Sequence, residues 1–377
     1  MRVAFILPGL HRVVRGAEVA FESIARELAQ MEDVEVTLFG SGEPRDNEPY
    51  SFCHIPNVPR NFFEQWPKVP VFRGLYVYEE FTFTANLIRY YQPKEFDFVV
   101  TCSYPFINWL LRIRGRQHQP IHIYVTENGD YEVRASHSEY RYFSCDALVC
   151  TNPQYYEKNQ EKWKSILIPN GVDPDLFLPG PSNRSIFNLS EDVPLALMVS
   201  ALIPSKRVCE GIRAASKIEG LHLVVCGDGY EREKVQILGE ELMPGRFKLM
   251  KLARHQMPDM YRAADVLLHM SLDEPFGNVY LEASAVGMPI VAHDWHSTRW
   301  ILEDTAILVD TTIEKETISG INKALRCKSR DNIKLRHRLV EERFSWKNIA
   351  RMYADFFRSF DADSLSKERT AASKITF

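Results

Sequence analysis

Glu274-Pro275-Phe276-Gly277-Asn278-Val279-Tyr280-Leu281-Glu282 puts two carboxylates eight residues apart, one on each side of a glycine turn. The apolar run Asp265-Val266-Leu267-Leu268-His269-Met270 precedes it and Gly287-Met288-Pro289-Ile290-Val291-Ala292 follows. The pattern reads as strand, loop, helix, strand. Glu274 falls at the end of the first strand, Gly277 where the helix begins and Glu282 inside that helix. A helix start presents N–H groups without intrahelical partners and the positive end of the dipole, which suits a phosphate. An ionised carboxylate accepts two hydroxyl protons, so the flanking glutamates suit sugar hydroxyls.

A nucleotide sugar has this form: a diphosphate with a ribose on one side and a hexose on the other. The segment resembles the E-x7-E signature of retaining glycosyltransferases of the family-4 type, which have the GT-B fold. The resemblance implies that Glu274 holds the donor sugar hydroxyls and Glu282 the ribose. It also implies that the backbone of Phe276, Gly277, Asn278 and Val279 faces the diphosphate.

The rest of the chain agrees with an enzyme of ordinary composition. The 377 residues suggest two domains, with 25% charged and 45% apolar residues. A formal net charge of −4 gives no reason to expect a nucleic-acid partner. The N-terminus is too soon interrupted for a signal peptide, and no apolar run approaches the roughly 20 residues of a membrane span. Seven scattered cysteines, never C-x-x-C, signal neither a zinc site nor a disulfide framework, and a cytoplasmic location is expected.

Strand and helix patterns alternate throughout. In the first half, strands are expected at 2–7, 34–40, 96–102, 121–126, 147–151 and 165–169, with a helix over 16–31. In the second half, strands are expected at 196–200, 221–226, 247–252, 266–270, 290–293 and 306–309, with helices over 208–218 and 231–242. Such alternation implies parallel, doubly wound α/β sheets. Pro169-Asn170-Gly171-Val172-Asp173-Pro174 and Pro179-Gly180-Pro181 mark a linker. Two Rossmann-like domains facing across a cleft, the GT-B arrangement, are therefore expected. Their bounds are 1–172 for the acceptor domain and 173–343 for the donor domain. A helix over 344–362 would cross back to the first domain, and 363–377 is expected to be a disordered tail.

Other segments resemble the family in part. Val199-Ser200-Ala201-Leu202-Ile203-Pro204-Ser205-Lys206-Arg207 is similar to its G-R-L-x-P-x-K loop, whose lysine neutralises the donor diphosphate. Lys206 fits. Ala201 stands where an arginine is expected, and Arg207 is the neighbouring substitute, although a lysine and an arginine are not equivalent. Pro8 to Glu18 resembles the family's G-G-A-E loop, with Arg15 in place of one glycine and the Gly16 N–H near the transferred group. It is not G-x-G-x-x-G, which weakens a nicotinamide reading. Gly227-Asp228-Gly229 resembles a G-D-G turn in which Gly227 or Gly229 lines the nucleotide site. Arg254 lies in the stretch 251–257, where family members hold the base. Thr126-Glu127-Asn128-Gly129-Asp130 occupies the place of an active-site histidine, and no histidine is there. Asn128 or Asp130 is the expected contact to sugar or acceptor, an acidic group being a candidate base; a plain turn explains the same residues.

Two features are set aside. His293-Asp294-Trp295-His296 has the wrong spacing for a metal on a strand, Asp361-Ala362-Asp363 falls in the tail, and no metal or cofactor is expected. The aromatics between 56 and 91, Trp66 and Phe72 among them, and the basic run Arg112, Arg114, Arg116 leave peripheral contact with a membrane surface open. The expected activity is a hexosyltransferase of class EC 2.4. It would move a sugar from a UDP-, GDP- or ADP-sugar to a glycan, lipid or small-molecule hydroxyl, with retention. The alternatives are a catalytically weakened nucleotide-sugar-binding protein and a GT-B sugar-nucleotide epimerase.

Overall fold

The computed structural model describes residues 1–63, 76–113, 119–134, 142–326 and 329–360. Trp66, Phe72, Arg114, Arg116, Cys327, Asp361 to Asp363 and the tail 363–377 lie outside them. The chain divides into two compact units, one of Met1–Asn170 with Trp346 onward, the other of Gly171–Ser345. The division falls two residues before the expected 172/173 boundary. Val172 belongs with the second unit because its N–H donates to the Phe344 carbonyl at 2.8 Å, and it bridges Ser345 in parallel.

The first unit holds strands β1 (Arg2–Ile6), β2 (Glu35–Gly40), β3 (Ser51–His54), β4 (Phe98–Thr101), β5 (Ile121–Val125), β6 (Ala147–Cys150) and β7 (Ser165–Leu167). They form one parallel sheet in the order β3-β2-β1-β4-β5-β6-β7. The second unit holds β8 (Leu195–Val199), β9 (His222–Cys226), β10 (Phe247–Met250), β11 (Val266–His269), β12 (Ile290–His293) and β13 (Ile307–Val309). Their order is β10-β9-β8-β11-β12-β13, again parallel throughout. The inner strands are buried along nearly their whole length, as expected when helices cover both faces. Only β3, a short edge strand of mixed burial, lacked an apolar run to announce it.

In both sheets the order reverses beside the first strand, between β1 and β4 and between β8 and β11. Ligands of open α/β sheets bind at the carboxyl ends of strands at such a switch point. In the second unit the two loops there carry Lys206 and Glu274.

Buried bonds fix the strands behind those loops. Arg184, 5% exposed, donates to the carbonyls of Ala263, Ser190, Glu191 and Val193 and to Asp265 Oδ2 at 2.9 Å. The same Asp265 oxygen accepts the Leu195 N–H at 2.8 Å, so the starts of β8 and β11 are tied together.

The helix Trp346–Arg358 buries Trp346, Ile349, Ala350, Tyr353, Ala354 and Phe357 in the core of the first unit. There Phe357 stacks on Phe98 of β4 with centroids 4.8 Å apart, and Arg358 pairs with Asp33 at 3.0 Å. Among the described residues, no helix is long and apolar enough to cross a membrane.

Candidate functional site

Glu274 follows β11, and its carboxylate is drawn into the fold by two cations or donors. Lys206 Nζ donates to Oε2 at 2.5 Å, and His269 Nε2 lies 3.1 Å from the same oxygen. An ionised carboxylate only accepts, so His269 carries its proton on Nε2 in this contact. Burial alone would raise the Glu274 pKa. The His269 hydrogen bond and charge, with those of Lys206, overcome it and hold the carboxyl at about 2. Both bonds fall on Oε2, and Oε1 has no hydrogen-bond partner among the described residues. An ionised group with one oxygen anchored and the other open is suited to accept hydroxyl protons.

His269 was not a sequence candidate. It sits inside an apolar strand, 4% exposed, edge-on to the Tyr280 ring at 5.0 Å. No spacing in the sequence tells such a histidine from a core residue.

Lys206 ends a tight 3-10 turn, Pro204–Lys206, and Ser271 Oγ donates to the Ser205 carbonyl at 3.3 Å. The turn and the β11 loop are thereby held together. Arg207 points elsewhere. Its guanidinium donates to the Met270 carbonyl at 3.3 Å and to Thr311 Oγ1 and O at 3.2 and 3.3 Å. As placed, it braces the loop that carries Glu274 and leaves Lys206 as the cation on the carboxylate.

Gly277 caps the helix Asn278–Ala285 with φ +82°, in the left-handed region. A Cβ there would meet the Tyr280 ring at 2.6 Å and Glu274 Cγ at 3.0 Å. The absent side chain lets Glu274 and the helix start approach each other. Phe276 turns inward against Trp300 and Phe344, centroids 6.4 and 6.1 Å away, so only its backbone faces the loop. Val279 packs partly into the same core. Gly277→Ala is expected to destabilise the protein by about 1–2 kcal/mol through left-handed strain and the Tyr280 clash. The denaturant midpoint reads this; an unchanged midpoint would show that the turn relaxes freely.

One turn further along the same helix, Glu282 Oε2 accepts from Tyr261 OH at 2.7 Å, and Arg254 Nη1 lies 3.6 Å from Oε1. Burial raises its pKa, with Arg254 and Tyr261 opposing. Arg254, read from sequence as a base contact, is placed beside this carboxylate. Gly227 closes β9 where a Cβ would strike the Ser200 carbonyl at 1.9 Å, so two strand-end loops cross at that glycine.

In the first unit Gly16 opens the helix Gly16–Leu28 and is exposed. The loop before it is pinned by His11, whose φ is +62°. The His11 ring stacks on Phe52 at 4.0 Å and contacts Tyr50 OH through Nε2 at 2.9 Å. After β5, Asn128 is exposed, with Nδ2 4.0 Å from Cys102 Sγ. Asp130 binds Asn159 Nδ2 at 3.1 Å and faces Arg134 at 3.8 Å. The group of that loop set apart by burial is Glu127. Its Oε2 accepts from Asn170 at 2.9 Å, Oε1 is buried without a partner, and burial pushes its pKa up to about 7. Sequence alone does not separate it from its polar neighbours.

His293 Nδ1 accepts from the Thr311 N–H at 3.2 Å, and Asp294 pairs with Arg299. Among the described residues no three His, Cys, Asp or Glu side chains gather as a metal site.

Two parallel α/β units, with a carboxylate, a lysine and a helix start at a switch point, define the class of GT-B glycosyltransferases. The family described as Glycosyltransferase Family 4 matches residues 14–176, and Glycosyl transferases group 1 matches 181–346. The chain belongs to this family-4 type of glycosyltransferase. Among similar proteins, lipopolysaccharide core biosynthesis glycosyltransferase LpsD of Rhizobium meliloti is 26% identical over 75% of this chain and 84% of its own length. LpsE of the same organism is 27% identical over 49% of this chain; the match spans about half, 54%, of that relative. Sucrose-phosphate synthase from Thermosynechococcus elongatus shares the fold with TM-score 0.78 at 19% identity, covering 95% of this chain and 98% of that one. Anabaena Alr3699/HepE, solved with UDP and glucose, gives TM-score 0.71 at 17% identity, covering 95% and 99%.

Proposed function

We propose that this protein moves a sugar from a nucleoside diphosphate sugar to an acceptor hydroxyl, with retention at the anomeric carbon and without a metal. The observation that carries the reading is the Glu274 carboxylate, ionised by His269 and Lys206 beside the Gly277 helix start. In this reading Glu274 Oε1 accepts from the donor sugar hydroxyls, and Lys206 with the helix N–H groups meets the charge growing on the departing diphosphate. Such stabilisation acts where charge develops. Glu282, oriented by Tyr261, takes the ribose hydroxyls. The acceptor belongs to the first unit, and transfer proceeds on one face of the sugar, the donor phosphate assisting deprotonation of the incoming hydroxyl. HepE, solved with UDP and glucose, makes uridine the first base to try.

The test is a thermal-shift titration with UDP, GDP, ADP and NAD on the wild type and on Glu282→Ala. A nucleoside diphosphate at 100 times its Kd adds about 2.7 kcal/mol to the folded state, a shift of several degrees. One of the three should produce this shift, and Glu282→Ala should shrink it. A shift with NAD alone, or with none, sinks the donor reading. The anomeric configuration of the product, read by proton NMR, decides retention.

A further inference from the structure

The loop after β1 carries a charged cluster that the proposed transfer leaves unused. Arg12 gives one terminal nitrogen to Asn57 Oδ1 at 3.2 Å and the other to Glu79. Arg60 Nε approaches the second Glu79 oxygen at 3.7 Å, too far for a hydrogen bond. Arg15, at the cap of the helix Gly16–Leu28, lies 3.9 Å from Glu18. Two arginines thus share one carboxylate. The third faces a carboxyl whose burial favours its neutral form. Cationic charge is in excess.

The hydrogen-bond inventory is one-sided as well. Arg12 Nε, Arg60 Nε and Asn57 Nδ2 are all buried without an acceptor. Buried donors are normally satisfied. Three unsatisfied donors in one connected cluster favour a group that only accepts and carries negative charge. The start of a 13-residue helix beside Arg15 adds to the same potential. Arg12 and Arg15 stand on the loop after β1, at the switch point of the first sheet, and Asn57 and Arg60 reach them from the chain that follows β3.

We infer that Arg12, Arg15, Arg60 and Asn57 bind the phosphate group of a phosphorylated sugar acceptor. The inference rests on the donor reading of the second unit: with the diphosphate held by Lys206 and Gly277, an anion in the first unit belongs to the acceptor.

Calorimetric titration of the full chain with glucose 6-phosphate, inorganic phosphate and glucose tests it, alongside the nucleoside diphosphate that binds. Wild type should bind both phosphates and not glucose. Arg60→Gln should weaken both about tenfold or more while changing nucleotide affinity less than twofold. Asn57→Leu removes a donor without touching a charge and should act in the same direction; it carries the test if Arg60→Gln fails to fold. Two results overturn the inference. One is loss of nucleotide affinity in Arg60→Gln equal to the loss for phosphate, which would give the cluster to the donor. The other is no phosphate binding beyond chloride at equal ionic strength, which would make the cluster a structural charge network. The Glu282→Ala titration fails or succeeds independently, so a wrong donor site and a wrong phosphate site are told apart.

Discussion

Glu274→Gln should lower kcat/KM for sugar transfer at least about a hundredfold, because a misplaced or neutralised positioning group costs that much. The amide keeps the size of the carboxyl but loses its charge, so Lys206 Nζ, at 2.5 Å, loses its ionic partner and is free to leave the turn. The amide nitrogen is also a donor, and it competes with sugar hydroxyls where the carboxylate accepted them. Nucleotide affinity, which the proposed reading assigns to Glu282 with Tyr261 orienting it, should change far less. Steady-state kinetics with the donor and base chosen by the thermal-shift titration, beside nucleotide titration of the same variant, separate the two effects. Transfer within threefold of wild type would remove Glu274 from the mechanism.

Arg184→Met should be the most damaging single change in the second unit, by about 3–5 kcal/mol. Five acceptors lose their donor at once: four carbonyls and Asp265 Oδ2. Methionine fills the volume, so the loss measures the bonds and not a cavity. For a unit of this size the melting midpoint should fall by about 6–20 °C. Arg184→Lys should recover little, since one ammonium cannot span a fan of carbonyls. A fall below about 1 kcal/mol in chemical denaturation would mean that water replaces the guanidinium without cost.

The sequence was most readable where apolar runs were longest. The inner strands β1, β5 and β12 lie within a residue of their expected bounds, since burial on both faces makes them almost wholly apolar. β3 escaped because Ser51, Phe52, Cys53 and His54 at a sheet edge carry neither alternation nor a continuous apolar run. At the site, Glu274, Gly277, Glu282 and Lys206 were legible because motif spacing along a loop or helix survives in one dimension. His269, Tyr261 and Glu127 were not. What sets them apart is what they touch: a carboxylate five residues on, a glutamate one helix away, and Asn170 across 43 positions. Arg207 shows the reverse. Its place beside Lys206 suggested a diphosphate contact, and long-range bonds to Met270 and Thr311 give it a bracing position.

The helix Trp346–Arg358 has a consequence for the order of assembly. The second unit, Gly171–Ser345, is one unbroken stretch of chain. The first is completed by residues made after it, among them Tyr353 and Phe357, which share its core with residues of β1 and β4. During synthesis, where domains usually finish in the order they emerge, the later unit here can close first. The earlier one waits, with apolar surface uncovered, until the helix Trp346–Arg358 leaves the ribosome. An mRNA that stopped at codon 345 would therefore spoil the half of the protein that had been translated first.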